Sequence, residues 1–143
     1  MPSELFRFFD PPRALEALGS WGKFVGRFSR VIGYSAFGDF ILVDPESGEH
    51  AILLTMSAEL EPTGYVHTDE FTSVFMANPG IIEQIGKPAL LAELEHRLGP
   101  LASEEVYFPV PYPFLGGSGT PETFDRGNVW TFAELVGQSH GLK

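Results

Sequence analysis

Three short apolar runs separated by turn-forming residues constrain the fold of this chain more than any other feature. The runs occupy residues 31–34, 40–43 and 51–54 and are rich in β-branched and aromatic side chains, as strands are. Residues 44–48, Asp-Pro-Glu-Ser-Gly, stand between the last two runs and are a strong turn signal. Unbroken apolar runs are typical of strands that are covered on both faces. We therefore predict an antiparallel meander of three to five strands, with residues 64–66 as a candidate fourth strand.

Helix and ribbon signals lie on either side of these runs. Residues 10–12, Asp-Pro-Pro, predict the start of an N-terminal helix, because proline is tolerated in a first turn. Residues 88–98 place leucines on one helical face and form the clearest helix pattern in the chain. Residues 107–113 contain three prolines, which remove ladder donors, so we predict an edge or polyproline-like ribbon there. Thr131 and Glu134 have the spacing of a capping box, which predicts a C-terminal helix.

These patterns predict an α+β fold in which a three- to five-stranded antiparallel meander packs with about four helices. We expect a single domain over residues 1–143, made of an N-terminal helical segment (1–27), the β-meander (28–67) and a last part (68–143). The last part holds helices, the proline-rich edge segment and the C-terminal helix. A chain of this size removes roughly 68–70% of its unfolded surface from water. It can therefore form a core without disulfides, which the absence of cysteine excludes.

Charge is distributed very unevenly along the chain. Residues 31–86 contain nine carboxylates and no lysine or arginine, and the whole chain has a formal net charge of −10. An acidic field of this kind repels nucleic acid and anionic membranes and steers a basic protein toward the acidic surface. We therefore expect a basic protein partner, and neither nucleic-acid binding nor membrane association.

The first ten residues lack the basic start and apolar run of a secretion signal. No apolar stretch in the sequence approaches the length of a membrane span. From these two observations we expect the protein to reside in the cytoplasm.

Motifs that carry chemistry are weak in this sequence. Residues 33–37, Gly-Tyr-Ser-Ala-Phe, lack the last glycine of a hydrolase elbow and lead into a second strand. The glycine-rich residues 115–120 lack the lysine of a phosphate-binding loop. His67 and Asp69 are the one histidine–carboxylate pair close enough in sequence to suggest shared metal ligands. We expect no catalytic residues, no cofactor and no metal site, and hence a protein that is not an enzyme.

Several of these segments together resemble a known family. The order is residues 33–40, Gly-Tyr-Ser-Ala-Phe-Gly-Asp-Phe, then the turn at 44–48, then Phe-Leu-Gly-Gly at 114–117 before the helix signal at Thr131. This order resembles the C-terminal domain of type VI secretion immunity proteins that neutralise a DNase effector, a family often found behind a GAD-like domain. The similarity extends from about residue 21 to residue 141. It implies a non-catalytic immunity protein whose basic partner is a secreted DNase effector.

The resemblance and the charge lead to the same candidate surface. A DNase holds a polyanion in a basic groove, and an inhibitor that presents carboxylates to that groove gains fast, steered association. We expect the docking surface to comprise eight carboxylates of the acidic window: Asp39, Asp44, Glu46, Glu49, Glu59, Glu61, Asp69 and Glu70.

Two other readings stay open at this point. The chain could be a generic intracellular module that binds a protein or a small ligand and has no connection with a toxin. An enzyme is the third reading, and a deep pocket holding two of these carboxylates, or His67 with Asp69, would favour it.

Overall fold

A five-stranded antiparallel sheet organises the chain, and its strand order follows the sequence. The computed structural model describes residues 5–142. The strands are β1 (Phe6–Ala14), β2 (Arg30–Ser35), β3 (Phe40–Val43), β4 (His50–Leu54) and β5 (Glu59–Pro62). The predicted α+β class and antiparallel meander are therefore confirmed, with the sheet at the upper end of the predicted size.

Helical segments and a second, two-stranded sheet surround this meander. The 3₁₀ segment Leu15–Trp21 continues into α1 (Gly22–Val25), and short 3₁₀ turns lie at Pro113–Leu115 and Pro121–Thr123. Helix α2 (Thr68–Glu70) continues into the π-helical turn Phe71–Phe75, and helix α3 (Pro79–Ile81) continues into the π-helical turn Ile82–Gly86. The two longer helices are α4 (Pro88–Leu98) and α5 (Val129–Ser139). Strands β6 (Glu105–Pro109) and β7 (Phe124–Asn128) pair with each other.

The three middle strands bury side chains on both faces, as their unbroken apolar runs predict. On one face Phe40, Leu42 and Leu53 pack against Trp21 and Val136, which belong to the segment before α1 and to α5. On the other face lies a row of three isoleucines, covered by the segment 71–86. The isoleucines are Ile32, Ile41 and Ile52, and Ile41 stands directly opposite Ile52 in the register of β3 and β4.

The proline-rich ribbon is an edge element, as predicted. β6 includes Pro109 and pairs with β7 alone, so proline is not required to donate in a central ladder. Tyr107 is fully buried and Phe108 stacks on Phe132 with ring centroids 5.4 Å apart. The ribbon therefore lays aromatic side chains on the core.

The predicted N-terminal helical segment is wrong for its first half. Residues 6–14 form edge strand β1, and helical structure begins only at Leu15. The register between β1 and β2 shifts between Phe8 and Arg13, which brackets both prolines of the expected helix start. A bulged edge strand tolerates proline because no ladder bond is lost there. Residues 1–4 of the predicted segment lie outside the described residues.

The fourth strand predicted at residues 64–66 is also wrong, because the strand lies earlier, at β5. The alternation of charged and apolar residues in 59–62 is the period-two pattern of a strand with one open face. Residues 63–65 instead form backbone hydrogen bonds with a single residue of β4. The His50 carbonyl accepts from Thr63 N (2.9 Å), and His50 N donates to the Tyr65 carbonyl (2.8 Å).

The predicted capping box at the last helix is wrong. Helix α5 starts three residues earlier, because Asn128 Oδ1 accepts hydrogen bonds from Trp130 N (2.9 Å) and Thr131 N (3.0 Å). Glu134 instead accepts from Ser20 N (3.1 Å) and from Ser20 Oγ (2.6 Å). The carboxylate therefore ties α5 to the segment before α1.

Gly38→Ala should lower the free energy of unfolding by about 2–4 kcal/mol. Alanine would be strained in the left-handed backbone conformation at this position, and its Cβ would overlap a neighbouring side chain. Gly38 has φ +85°, and a Cβ there would overlap the Phe132 ring. The matched control is Gly64→Ala, with φ +81° and open space around its Cβ, which should cost about 1–2 kcal/mol. Urea unfolding measures both losses. Equal losses would show that Phe132 does not press on Gly38.

Candidate functional site

The eight carboxylates predicted to form one surface separate into two groups. Three of them hold the chain together and are not free to meet a partner: Asp39, Asp44 and Glu49. Five are exposed: Glu46, Glu59, Glu61, Asp69 and Glu70. The expectation that all eight face a partner is therefore too broad.

Asp44 and Glu49 hold the hairpin between β3 and β4. Asp44 accepts from Glu46 N (2.9 Å) and from Arg27 Nη1 (2.9 Å). Glu49 accepts from Arg27 Nη2 (2.7 Å) and from Gly64 N (3.1 Å). The Glu46 N–H, and then the Arg27 guanidinium, lower the pKa of Asp44 to about 2. These two carboxylates are thus turn-forming residues, neutralised in part by one arginine.

Asp39 closes the turn between β2 and β3. Ser35 Oγ donates to its carboxylate (2.9 Å) and accepts from Phe37 N and Asp39 N, each at 3.2 Å. Burial raises the pKa of the Asp39 carboxyl to about 6, although the Ser35 hydrogen bond and the charge of Lys87 act in the opposite direction. The Asp39 and Lys87 side chains line a small cavity of about 170 Å³. Asp39 is therefore a turn residue and not part of an open acidic surface.

The five exposed carboxylates collect on the side of the sheet where β5 forms the edge. Glu59 and Glu61 stand opposite Leu54 and Ile52, which places them on the isoleucine face. Asp69 and Glu70 lie on α2, whose continuation covers that same face. Glu46 lies in the hairpin turn, where Gly48 is beside the backbone of Val66 in the loop that leads to α2. We call this set, Glu46, Glu59, Glu61, Asp69 and Glu70, the acidic side.

The opposite edge of the sheet is basic. Strand β1 carries Arg7 and Arg13, and four strand spacings, about 19 Å, separate it from β5. Arg13 pairs with Glu104 (2.8 Å), and Arg7 donates to the Leu101 and Ala102 carbonyls (3.2 Å each). Arg7 and Arg13 thus contact the loop before β6 and not the acidic side, whereas Arg27 reaches the hairpin through Asp44 and Glu49.

A cavity of about 410 Å³ opens beside β5. Its apolar lining comes from the sheet and from the two helical segments that cross the isoleucine face: Ile52, Leu54, Phe75, Ile81 and Ile85. Glu61, Gln84 and Thr63 supply polar atoms. Glu61 is the charged group among the described lining residues, so the cavity opens into the acidic side.

Two π-helical turns form the outer wall of this cavity. Met76 N donates to the Phe71 carbonyl and Lys87 N donates to the Ile82 carbonyl, each at 2.9 Å over five residues. Such turns are rare and are frequently found at functional sites. Phe75 lies in the first turn, and Gln84 and Ile85 lie in the second. Sequence reasoning missed this site, because apolar spacing predicts a buried helix face and not a π-helical turn.

The described residues include neither a cluster of metal ligands nor a membrane-spanning helix. Within residues 5–142, no group of three or more histidine, aspartate or glutamate side chains is placed to hold a metal ion. The helices of this part of the chain are all too short or too polar to cross a bilayer. His67 and Asp69 lie at the exposed start of α2.

Comparison with known proteins establishes the fold. No protein-family model matches this chain, and no curated protein matches its sequence significantly. Among solved structures the chain is similar to Atu4351 from Agrobacterium tumefaciens, with a TM-score of 0.64 and 17% sequence identity. The similarity covers 94% of this chain and 67% of that protein. At this identity the likeness shows the shared α+β fold alone.

Asp39→Asn should remove one part of the pH dependence of stability. With a native pKa of about 6, against about 4 in the unfolded chain, the folded protein holds this proton more tightly. The contribution of Asp39 to the free energy of unfolding therefore falls as the pH rises from about 4 to about 6. The variant should lack that part of the decline in urea unfolding across this range. Identical profiles for the two proteins would contradict the burial of Asp39.

Asp44→Asn should change the acid side of the same profile, with the opposite sign. Because the pKa of Asp44 is lowered to about 2, its stabilising effect is present above about pH 4 and is lost toward about pH 2. The variant should be less stable at neutral pH and should decline less steeply below about pH 4. The same urea series measures both effects. A variant as stable as wild type at neutral pH would contradict the role of Asp44 in the turn.

Proposed function

We propose that this protein is a non-catalytic, cytoplasmic protein-binding domain, an immunity protein that neutralises a basic, DNase-type effector. The observation that carries the proposal is the acidic side. Its five exposed carboxylates lie within residues 31–86, which contain no lysine or arginine. A partner with a basic groove would meet a predominantly acidic surface, in which Arg27 is already paired with Asp44 and Glu49, and would associate quickly under its field.

Exposed apolar side chains next to the carboxylates support a protein interface on this side. Val66 precedes α2 and Val74 follows it in the π-helical turn, and their exposed fractions are 46% and 54%. Asp69 and Glu70 lie between them in the sequence. Apolar contacts usually supply most of the affinity at the centre of an interface, whereas surrounding charges set the association rate and the selectivity. The acidic side combines both kinds of group.

The resemblance to the immunity family adds the type of partner. Residues 33–40 and the turn at 44–48 carry much of that resemblance, and in the structure they shape the ends of β2 and β3. Asp39 and Asp44 belong to these motifs and act in their turns. Their part in binding would therefore be to hold the loops that present neighbouring carboxylates.

A generic binding module is the second candidate, and the cavity beside β5 favours it. A pocket of this kind, lined by isoleucine and phenylalanine with few polar groups, has the usual composition of a small-ligand site. This candidate needs no toxin. A secreted nuclease gene adjacent to the gene for this protein would favour immunity, and its absence would favour the module.

The double variant Glu46→Lys/Glu59→Lys should slow association with the nuclease encoded by such an adjacent gene. Both side chains are exposed, and the change removes two negative charges and adds two positive ones, which raises the net charge of the acidic side by four. The association rate should fall about tenfold or more at low ionic strength, and its dependence on salt should weaken. Stopped-flow binding and inhibition of DNA cleavage provide the two readouts.

The matched control is Glu16→Lys/Glu93→Lys, which makes the same change in net charge at exposed residues of the 3₁₀ segment and α4. This variant should keep a rate within a factor of about three of wild type, since its charges lie away from the docking surface. Equal slowing by both double variants would refute docking at the acidic side, because net charge alone would then set the rate.

A further inference from the structure

We propose that the cavity beside β5 is a binding site for a monocation with a short apolar stem. An alkylammonium or alkylguanidinium group has this chemistry, either as a free amine or as the end of a lysine or arginine side chain. The apolar stem would enter the cavity, and the charged end would stay at its mouth beside Glu61. This inference goes beyond the proposed function and holds whether or not the acidic side binds a protein.

The shape and lining of the cavity fit an apolar stem. Its volume of about 410 Å³ lies near the lower end of the range for small-ligand pockets, so it suits a short ligand. The floor is formed by Ile52 and Leu54 of β4, and the opposite wall by Phe75, Ile81 and Ile85. Burial of each methylene group of the stem against such a lining favours binding.

The charge at the mouth selects a cation. Glu61 is exposed, and none of the lysine, arginine or histidine residues in the described part of the chain forms an ion pair with it. The Gln84 amide offers an oxygen acceptor on the opposite wall, and Phe75 contributes an aromatic ring, whose face attracts cations. An anion would meet Glu61 and the field of the acidic side, so the cavity should reject it.

The backbone geometry supports a ligand site independently of the charge. The wall residues Phe75, Gln84 and Ile85 all belong to the two π-helical turns. A π-helical turn fits one extra residue into the hydrogen-bonded ring, and such turns are frequently found at functional sites. Phe75 is held in place by Phe71, with ring centroids 5.3 Å apart. This stacking orients the Phe75 ring in the cavity wall.

The test is a titration of the whole protein with three probes that share a hexyl stem: n-hexylammonium, 1-hexanol and heptanoate. Chemical-shift changes in an ¹⁵N NMR spectrum report the location and affinity of binding. We expect n-hexylammonium to bind about two- to fivefold more tightly than 1-hexanol, as for a partly exposed ion pair, and heptanoate to bind most weakly. Failure of n-hexylammonium to shift the amides of residues 75–85, or equal binding of all three probes, would overturn the proposal.

The chain offers a matched pair of variants to locate the charge. Glu61→Gln should remove the preference for n-hexylammonium over 1-hexanol while leaving 1-hexanol binding unchanged. Glu59→Gln, two residues away on the same strand and outside the cavity lining, should keep the preference. Equal loss in both variants would mean that the general field of the acidic side attracts the cation, and it would refute a built site.

Two further probes distinguish the sources of the cation. Nα-acetyl-lysine N-methylamide carries the stem on a peptide backbone. If it shifts the same amides, the site accepts a side chain of another protein; if only n-hexylammonium does so, the site is for a free amine. Loss of partner association in Glu46→Lys/Glu59→Lys with intact n-hexylammonium binding would separate the acidic side from the cavity. Unchanged partner association in that variant, with intact n-hexylammonium binding, would leave the cavity site standing and refute docking at the acidic side.

Discussion

Burial of both faces of the central strands is the constraint on which the rest of this structure depends. Strands β2, β3 and β4 send apolar side chains alternately toward α5 and toward the π-helical turns. Charged groups are therefore confined to the turns, the edge strand and the helix start, since burying an unpaired charge is costly. The window without basic residues thus folds so that much of its charge emerges on one side. The acidic side is a consequence of how the sheet is covered.

The meander and α4 could be predicted from the sequence because their signals are local. A buried strand needs an apolar run and a turn, and residues 88–98 show the helical period over three turns. The N-terminal strand could not be predicted in the same way. Proline at residues 11 and 12 is compatible with a helix start and with a bulged edge, and only pairing with β2 decides between them. Asn128 and Thr131 are both good helix caps, and the end of β7 selects the first.

For the candidate site too, features with local sequence signals could be predicted, and features that depend on tertiary contacts could not. Composition predicted an acidic surface, and five of the eight named carboxylates are exposed. It could not show that Arg27, seventeen residues before Asp44, neutralises part of the hairpin, because this contact depends on the fold. Nor could it show the cavity. Phe75 and Ile85 have apolar side chains in any helix, and the π-helical geometry that sets them beside Glu61 depends on the packing over the isoleucine row.

The proposed function requires a basic protein to dock on the acidic side. Hydrogen–deuterium exchange of the protein alone and in complex with the proposed DNase-type partner tests that docking most directly. Docking there predicts slower exchange in the hairpin turn at 44–49, in β5 and in residues 66–75 on binding, and unchanged exchange in β1. Protection confined to β1, or to α4 and α5, with no change around β5, would contradict it.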